Sequence, residues 1–266
     1  MVYMNTPQLE TERLILRKFT ENDIEALYLI LADKEVNTFL PWFPLKTIEE
    51  AQAFFETRYA ANYEKPQAYA YAVCLKEDNY PIGYIAVDMD ESHDFGYGLR
   101  KEFWHRKIVT EAGSAVIAQV RKDGLSYITA THDINNPRSG GVMRQVGMKY
   151  QYSYEEKWQP KDFLVTFRMY QLNFNEKDHG VFKKYWDNSA VHFIEAGIQL
   201  YNGDERRFQR RPRSSRPPAQ RRYSHSGFND AEVDINKIRL NQHFKVMHTR
   251  LAVWYFLKVH SLPSTS

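Results

Sequence analysis

Apolar and polar residues alternate over 13–19 (RLILRKF), the period of a strand with one buried face. From Thr20 the period changes. Ile24, Leu27, Tyr28 and Leu31 recur at helical spacing, behind a hydroxyl at Thr20 and a carboxylate at Asp23 that together have the form of a capping box. Two prolines and three aromatic residues make 38–45 (TFLPWFPL) a loop. Thr47 and Glu50 open a second helix running to about residue 62, and 68–75, 80–89 and 93–100 read as three successive strands. A helix is predicted over 108–122, stopped by Asp123 with Gly124 just beyond its end. The β-rich run 126–132 is a buried strand; Asn136 caps a short helix that has Pro137 at its first position and Gly147 at its close. A final strand pair is predicted over 148–155 and 162–172. The order of strand, two helices, three strands, helix, strand, helix and two strands implies an α/β (α+β) domain with a mixed sheet flanked by helices.

Past residue 174 the pattern changes. Residues 175–202 are expected to add a strand and a helix that pack back on the domain. Residues 203–225 are rich in Arg, Pro and Ser and read as a disordered linker, and 226–266 regain the apolar content of a helical tail. The net charge of +3 conceals a partition: eight arginines and no acid stand in 206–222, which leaves the rest of the chain at −5. Such a basic segment, with Phe208 and Tyr223 available for stacking, suits a weak RNA contact or a solvated linker equally well. No apolar run approaches the roughly 20 residues that span a bilayer, and no signal peptide is read at the start. The single cysteine, Cys74, forms no internal disulfide and fits a cytoplasmic setting; its strand position reads as a core thiol. The nine histidines show no metal-ligand spacing.

The candidate chemistry lies in 95–112 (FGYGLRKEFWHRKIVTEA), where a strand, a short connector and a helix start follow one another. The first N–H groups of a helix have no internal partner and carry the positive end of its dipole, which makes this order an anion site. The segment resembles the pyrophosphate loop of the GNAT acetyltransferase superfamily. Trp104, Thr110, Glu111 and Ala112 match that motif, whereas His105 and Lys107 stand where the family has glycines. Three further patches carry the resemblance, and they point to the Rim-type branch, which acetylates ribosomal-protein N-termini. These are residues 10–27 (ETERLILRKFTENDIEAL), the Leu40-Pro41-Trp42 loop, and Asn135-Asn136-Pro137-Arg138-Ser139 with Gly147-Met148. The likeness covers residues 9–174 and implies a mostly antiparallel central sheet, an N-acetyltransferase within 1–174, and acetyl-CoA as co-substrate.

On that resemblance, backbone groups of Tyr97, Gly98 and Leu99 bind the pantetheine arm. The amides of His105, Arg106, Lys107, Ile108, Val109 and Thr110 hold the phosphates, with Asn136, Arg138 and Ser139 on the far arm. Leu40, Trp42 and Phe43 line the acceptor site. Many members use a helix tyrosine as the acid that protonates the leaving thiolate. Met143 stands there in this chain, and Ser139 matches the serine of the Rim-type branch; its alternative role is a local helix-start hydroxyl. Glu155 and Glu156 are the base candidates, and strand alternation lets only one of them face the cleft. An α-amine, with a pKa of about 8, can also arrive already deprotonated. Glu111 reads as an anchor for the loop, and Gly96 and Gly98 as cofactor-facing glycines or as a β-bulge. The acceptor is a protein N-terminal amine or a small-molecule amine, and the protein acts as a monomer or homodimer. The alternative is a degenerate GNAT domain that binds a partner, an acyl-CoA or RNA.

Overall fold

The computed structural model describes residues 4–175 and 180–198. The expectations for 203–225 and 226–266, including the basic segment, lie outside the described residues. Among the described residues, nine strands form two sheets. β1 (Leu9–Glu10), β2 (Leu14–Arg17), β3 (Tyr69–Leu75), β4 (Pro81–Val87) and β5 (Phe95–Leu99) pair in sequence order, each antiparallel to the next. β6 (Tyr127–Asp133), β7 (Lys149–Trp158), β8 (Phe163–Asn173) and β9 (His192–Phe193) form the second sheet in the order β6-β8-β7-β9. The helices are α1 (Ile24–Ala32), α2 (Ile48–Phe55), α3 (Ala61–Tyr63), α4 (Ile108–Lys122), α5 (Pro137–Gln145) and α6 (Lys184–Asn188).

β3 is buried on both faces, and its alternation sorts side chains by size. Tyr69, Tyr71 and Val73 join one core with Val116 and Val120 of α4. Ala70, Ala72 and Cys74 face a second core with Leu27 of α1 and Phe54 of α2. Small residues there let α1 and α2 lie close on the sheet. Cys74 is fully buried, and burial pushes its thiol up to about 12. It is the core thiol that its strand position implied.

The helix expected from Thr47 to about residue 62 is not uniform. It widens into a π-turn at Glu56–Ala60. The wider turn keeps Phe54, five residues before Tyr59, on the same buried face, with 6.2 Å between ring centroids. It also turns Arg58 toward the cleft described below. At the other end of the domain the expected strand and helix come in reverse order. α6 packs its buried Tyr185 on Tyr154 of β7, and β9 then pairs with β7 through Ser153↔Phe193.

The two sheets are joined side by side at one point. Asp94 forms a parallel bridge with Thr129, whose N–H donates to the His93 carbonyl at 3.2 Å. Beyond that point β5 and β6 diverge. The β4–β5 register runs without a slip from Gly83↔Leu99 to Val87↔Phe95, so no bulge is present at Gly96 or Gly98. Gly98 lies opposite Tyr84, whose ring occupies the space that a Cβ would need.

Candidate active site

A cleft of about 940 Å³ opens where the sheets part. One wall is the free edge of β5. In an antiparallel pair, successive residues turn their N–H and C=O alternately toward and away from the partner strand. Arg100 N–H donates to Ile82, and the Asp94 carbonyl accepts from Asp88, so even-numbered residues of β5 serve β4. Phe95, Tyr97 and Leu99 therefore direct their backbone groups into the cleft. Of these, the Leu99 carbonyl accepts from Trp104 Nε1 at 2.8 Å.

The connector from β5 to α4 forms the second wall. His105 and Lys107 both occupy the left-handed region, with φ of 61° and 58°. This is the backbone for which the family pattern has glycines, here built from L side chains at about 1 kcal/mol or more each. Successive amides in such a turn form a concave donor array. Among the described residues, none of the amides from His105 to Thr110 is engaged; the first amide inside the helix with a partner is Glu111, which donates to the Lys107 carbonyl. Glu111 anchors this turn to the β1–β2 connection, accepting from Thr11 Oγ1 at 2.6 Å and from the Arg13 amide at 3.0 Å. The guanidinium of Arg106 lies over Phe103, and that of Arg138 over Trp104.

The start of α5 faces the turn across the cleft. Asn136 caps it, accepting from the Ser139 amide at 3.4 Å. Tyr97 Oη reaches across from β5 and lies 2.7 Å from Ser139 Oγ and 2.9 Å from the Ser139 carbonyl. Burial pushes the Tyr97 hydroxyl well above its usual pKa, so it is a neutral O–H. Behind α5, burial pushes His132 down to about 4. Its Nδ1–H donates to the Asp133 carbonyl at 2.8 Å, and its Nε2 has no partner among the described residues.

At the opposite end the cleft is lined by Leu40, Trp42, Arg58, Tyr84, Asp88, Asp94 and Trp158. Lys161 Nζ donates to the Asn37 carbonyl at 2.9 Å and ties the β7–β8 turn to the 36–42 loop. Burial raises the Asp88 carboxyl, and Arg58 partly offsets this. Glu156, on the Trp158 face of β7, is half-buried; burial, then the nearby Asp94 charge, push it up to about 7.

Most of the residues singled out in the sequence meet in this cleft. Tyr97, Gly98, Leu99, His105, Lys107, Ile108, Val109, Thr110, Asn136, Arg138, Ser139, Leu40 and Trp42 all line it. Four placements differ. Glu156 stands on the Trp158 face of β7 near Asp94 but is not itself among the residues that line the cleft. Phe43 is 57% exposed and turns away from the cleft. Arg106 is not among the lining residues; its guanidinium lies over Phe103. Glu155 lies on the opposite face of β7 from Glu156, opposite Thr166 and beside Ser189. The sequence reading did not single out Asp94, Asp88, Arg58 or Trp158. A lone acid at a strand start has no local signature, and Arg58 enters the wall only because of the π-turn.

A splayed strand edge thus lies beside a helix start with six unengaged amides. The family model for the acetyltransferase (GNAT) domain matches residues 13–149. The chain belongs to the GNAT acetyltransferases. This GNAT domain is 28% identical over 148 residues to the uncharacterized N-acetyltransferase YoaA of Bacillus subtilis, covering 54% of this chain and 83% of that protein. Its fold is similar to that of RimL, a ribosomal L7/L12 α-N-protein acetyltransferase solved with coenzyme A. There the TM-score is 0.56 at 18% identity, over 63% of this chain and 98% of that one. The microcin C7 self-immunity acetyltransferase MccE, solved with acetyl-CoA and AMP, is also similar in fold, with a TM-score of 0.55 at 17% identity over 61% and 93% of the two chains. The GNAT domain is thus that of an acyltransferase. Among the described residues, no helix is long and apolar enough to cross a membrane, and no group of three or more His, Cys, Asp or Glu is placed to hold a metal ion.

Proposed function

We propose that this GNAT enzyme moves acetyl from acetyl-CoA to a primary amine. The observation that carries this reading is the run of unengaged amides from His105 to Thr110, continuous with the outward-facing groups of Tyr97 and Leu99. The residues fit the cofactor: a helix start and its cationic neighbours suit a diphosphate, and an open strand edge suits the amides of a pantetheine arm. Acetyl-CoA supplies the acyl thioester; the acetyl carbon–sulfur bond breaks, a carbon–nitrogen bond forms, and the amine's proton leaves as the thiolate gains one.

Ser139 Oγ is the proposed proton donor to the sulfur. It stands in the helix that carries Met143, where many relatives have a tyrosine, and Tyr97 Oη fixes its rotamer at 2.7 Å. Glu156 is the proposed base, behind Asp94, which lines the end of the cleft that Trp42 and Tyr84 cover with aromatic surface. Two carboxylates and aromatic faces suit a cationic amine, whether the N-terminus of a protein or a small molecule.

Acetyl-CoA at 100 times its Kd is expected to stabilise the full chain by about 2.7 kcal/mol, read as a rise in melting temperature. The absence of any shift would overturn the reading and leave only the scaffold. Ser139→Ala is expected to lower kcat by about 10²-fold with little change in the KM for acetyl-CoA. A KM effect alone would reduce Ser139 to a binding residue.

A further inference from the structure

The turn that holds the unengaged amides is short, charged and built on two left-handed residues, so something outside it must fix its shape. Arg106 sits between them, with His105 at φ 61° and Lys107 at φ 58°. The Arg106 carbonyl accepts from Arg13 Nη2 at 3.1 Å. The same guanidinium is held by Glu111, with Nε 2.7 Å and Nη2 2.6 Å from Oε2. Glu111 is fixed in turn by Thr11 Oγ1 and by the Arg13 amide. These bonds hold its carboxyl below the usual range, and it is ionised at neutral pH.

The peptide plane turns this clamp into an aiming device. In a trans peptide the C=O and the following N–H point in opposite directions. A carbonyl of Arg106 held toward Arg13 sends the amide of Lys107 to the other side, and Lys107 lines the cleft. If that peptide flips, the Lys107 amide leaves the anion site and the left-handed φ values lose their purpose. The side chains of the turn offer no comparable hold, since Arg106 lies over Phe103.

We propose that Arg13 is a positioning residue for the cofactor diphosphate. From outside the cleft it bridges Glu111 and the Arg106 carbonyl, and so keeps the Lys107 amide aimed at the phosphates. This rests on the reading that the turn holds a diphosphate. The role also gives the TER segment at 11–13 a purpose. Strand β2 needs only Leu14 and Leu16 for its core, whereas Thr11 and Arg13 serve a turn more than 90 residues further along the chain.

The test compares full-length wild type, Arg13→Gln and Arg13→Lys by calorimetric titration with coenzyme A and with pantetheine, which lacks the diphosphate. Arg13 is 43% exposed, so neither variant empties the core. Arg13→Gln is expected to bind coenzyme A about tenfold more weakly and pantetheine unchanged. In turnover it raises the KM for acetyl-CoA with kcat retained. Arg13→Lys keeps the charge but cannot span both acceptors, and falls between the two. Equal affinity of wild type and Arg13→Gln for coenzyme A overturns the proposal, as does an equal loss for both ligands, which would mark a general structural defect. A wild type that binds coenzyme A no tighter than pantetheine fails the reading of the turn itself, a separate result.

Discussion

Glu156→Gln is expected to lower turnover on the order of 10²–10³-fold near neutral pH, the usual share of a positioned general base. The parent enzyme should lose activity as the pH falls through about 7, where the Glu156 carboxyl takes up a proton. That limb should vanish in the variant. Asp94→Asn should move the limb to lower pH, because removing the neighbouring charge eases ionisation of Glu156. The folded state holds this proton more tightly than the unfolded chain does. Its contribution to stability is therefore present at low pH and is lost as the pH rises from the ordinary carboxyl range toward 7. Glu156→Gln removes that loss, so at pH 8 the variant should be more stable than the parent by on the order of 1–3 kcal/mol, read as a higher melting temperature. A slower but more stable enzyme is a pair of outcomes that misfolding cannot produce. Unchanged turnover at pH 7 would show instead that the acceptor amine arrives already as the free base, and the base role would be withdrawn.

The second large effect is electrostatic. Lys107→Glu should weaken coenzyme A binding about 100-fold in calorimetric titration, since it replaces a cation by an anion at the wall proposed to hold the phosphates. The loss should shrink as salt is raised. Lys107→Gly should stay within about fivefold of the parent. It relieves the left-handed strain at φ 58° and lets the backbone approach more closely, but it gives up a charge. Equal, small effects of Glu and Gly would mean that no anion binds at this turn.

Much of this was legible in the sequence because the signals were local. Alternation marked β2, the Thr47 hydroxyl marked the start of α2 by accepting from Glu50, and Gly124 and Gly147 stand at the ends of α4 and α5 with φ near 90°. The strand edge and the turn were legible as well, because a strand, a connector and a helix start follow one another in one 18-residue stretch. What the sequence left open depends on strand parity and long-range closure. Whether Glu155 or Glu156 faced inward turned on the β7 register, which a bulge between Tyr150 and Tyr152 resets. Phe43 was grouped with Trp42 by adjacency, yet neighbours in an irregular loop need not share a side. The π-turn left no mark beyond a five-residue apolar spacing. Arg13 and Glu111 are 98 positions apart, and nothing in either neighbourhood announces their pairing.

Among the described residues, one isolated bridge, Asp94 to Thr129, joins the two sheets. Beyond that corner the gap is crossed by the contact of Tyr97 Oη with Ser139, and the backbone groups of Phe95, Tyr97 and Leu99 face into it. Loading and unloading leave the β4–β5 ladder untouched, because the groups that meet the visitor are those the ladder does not use.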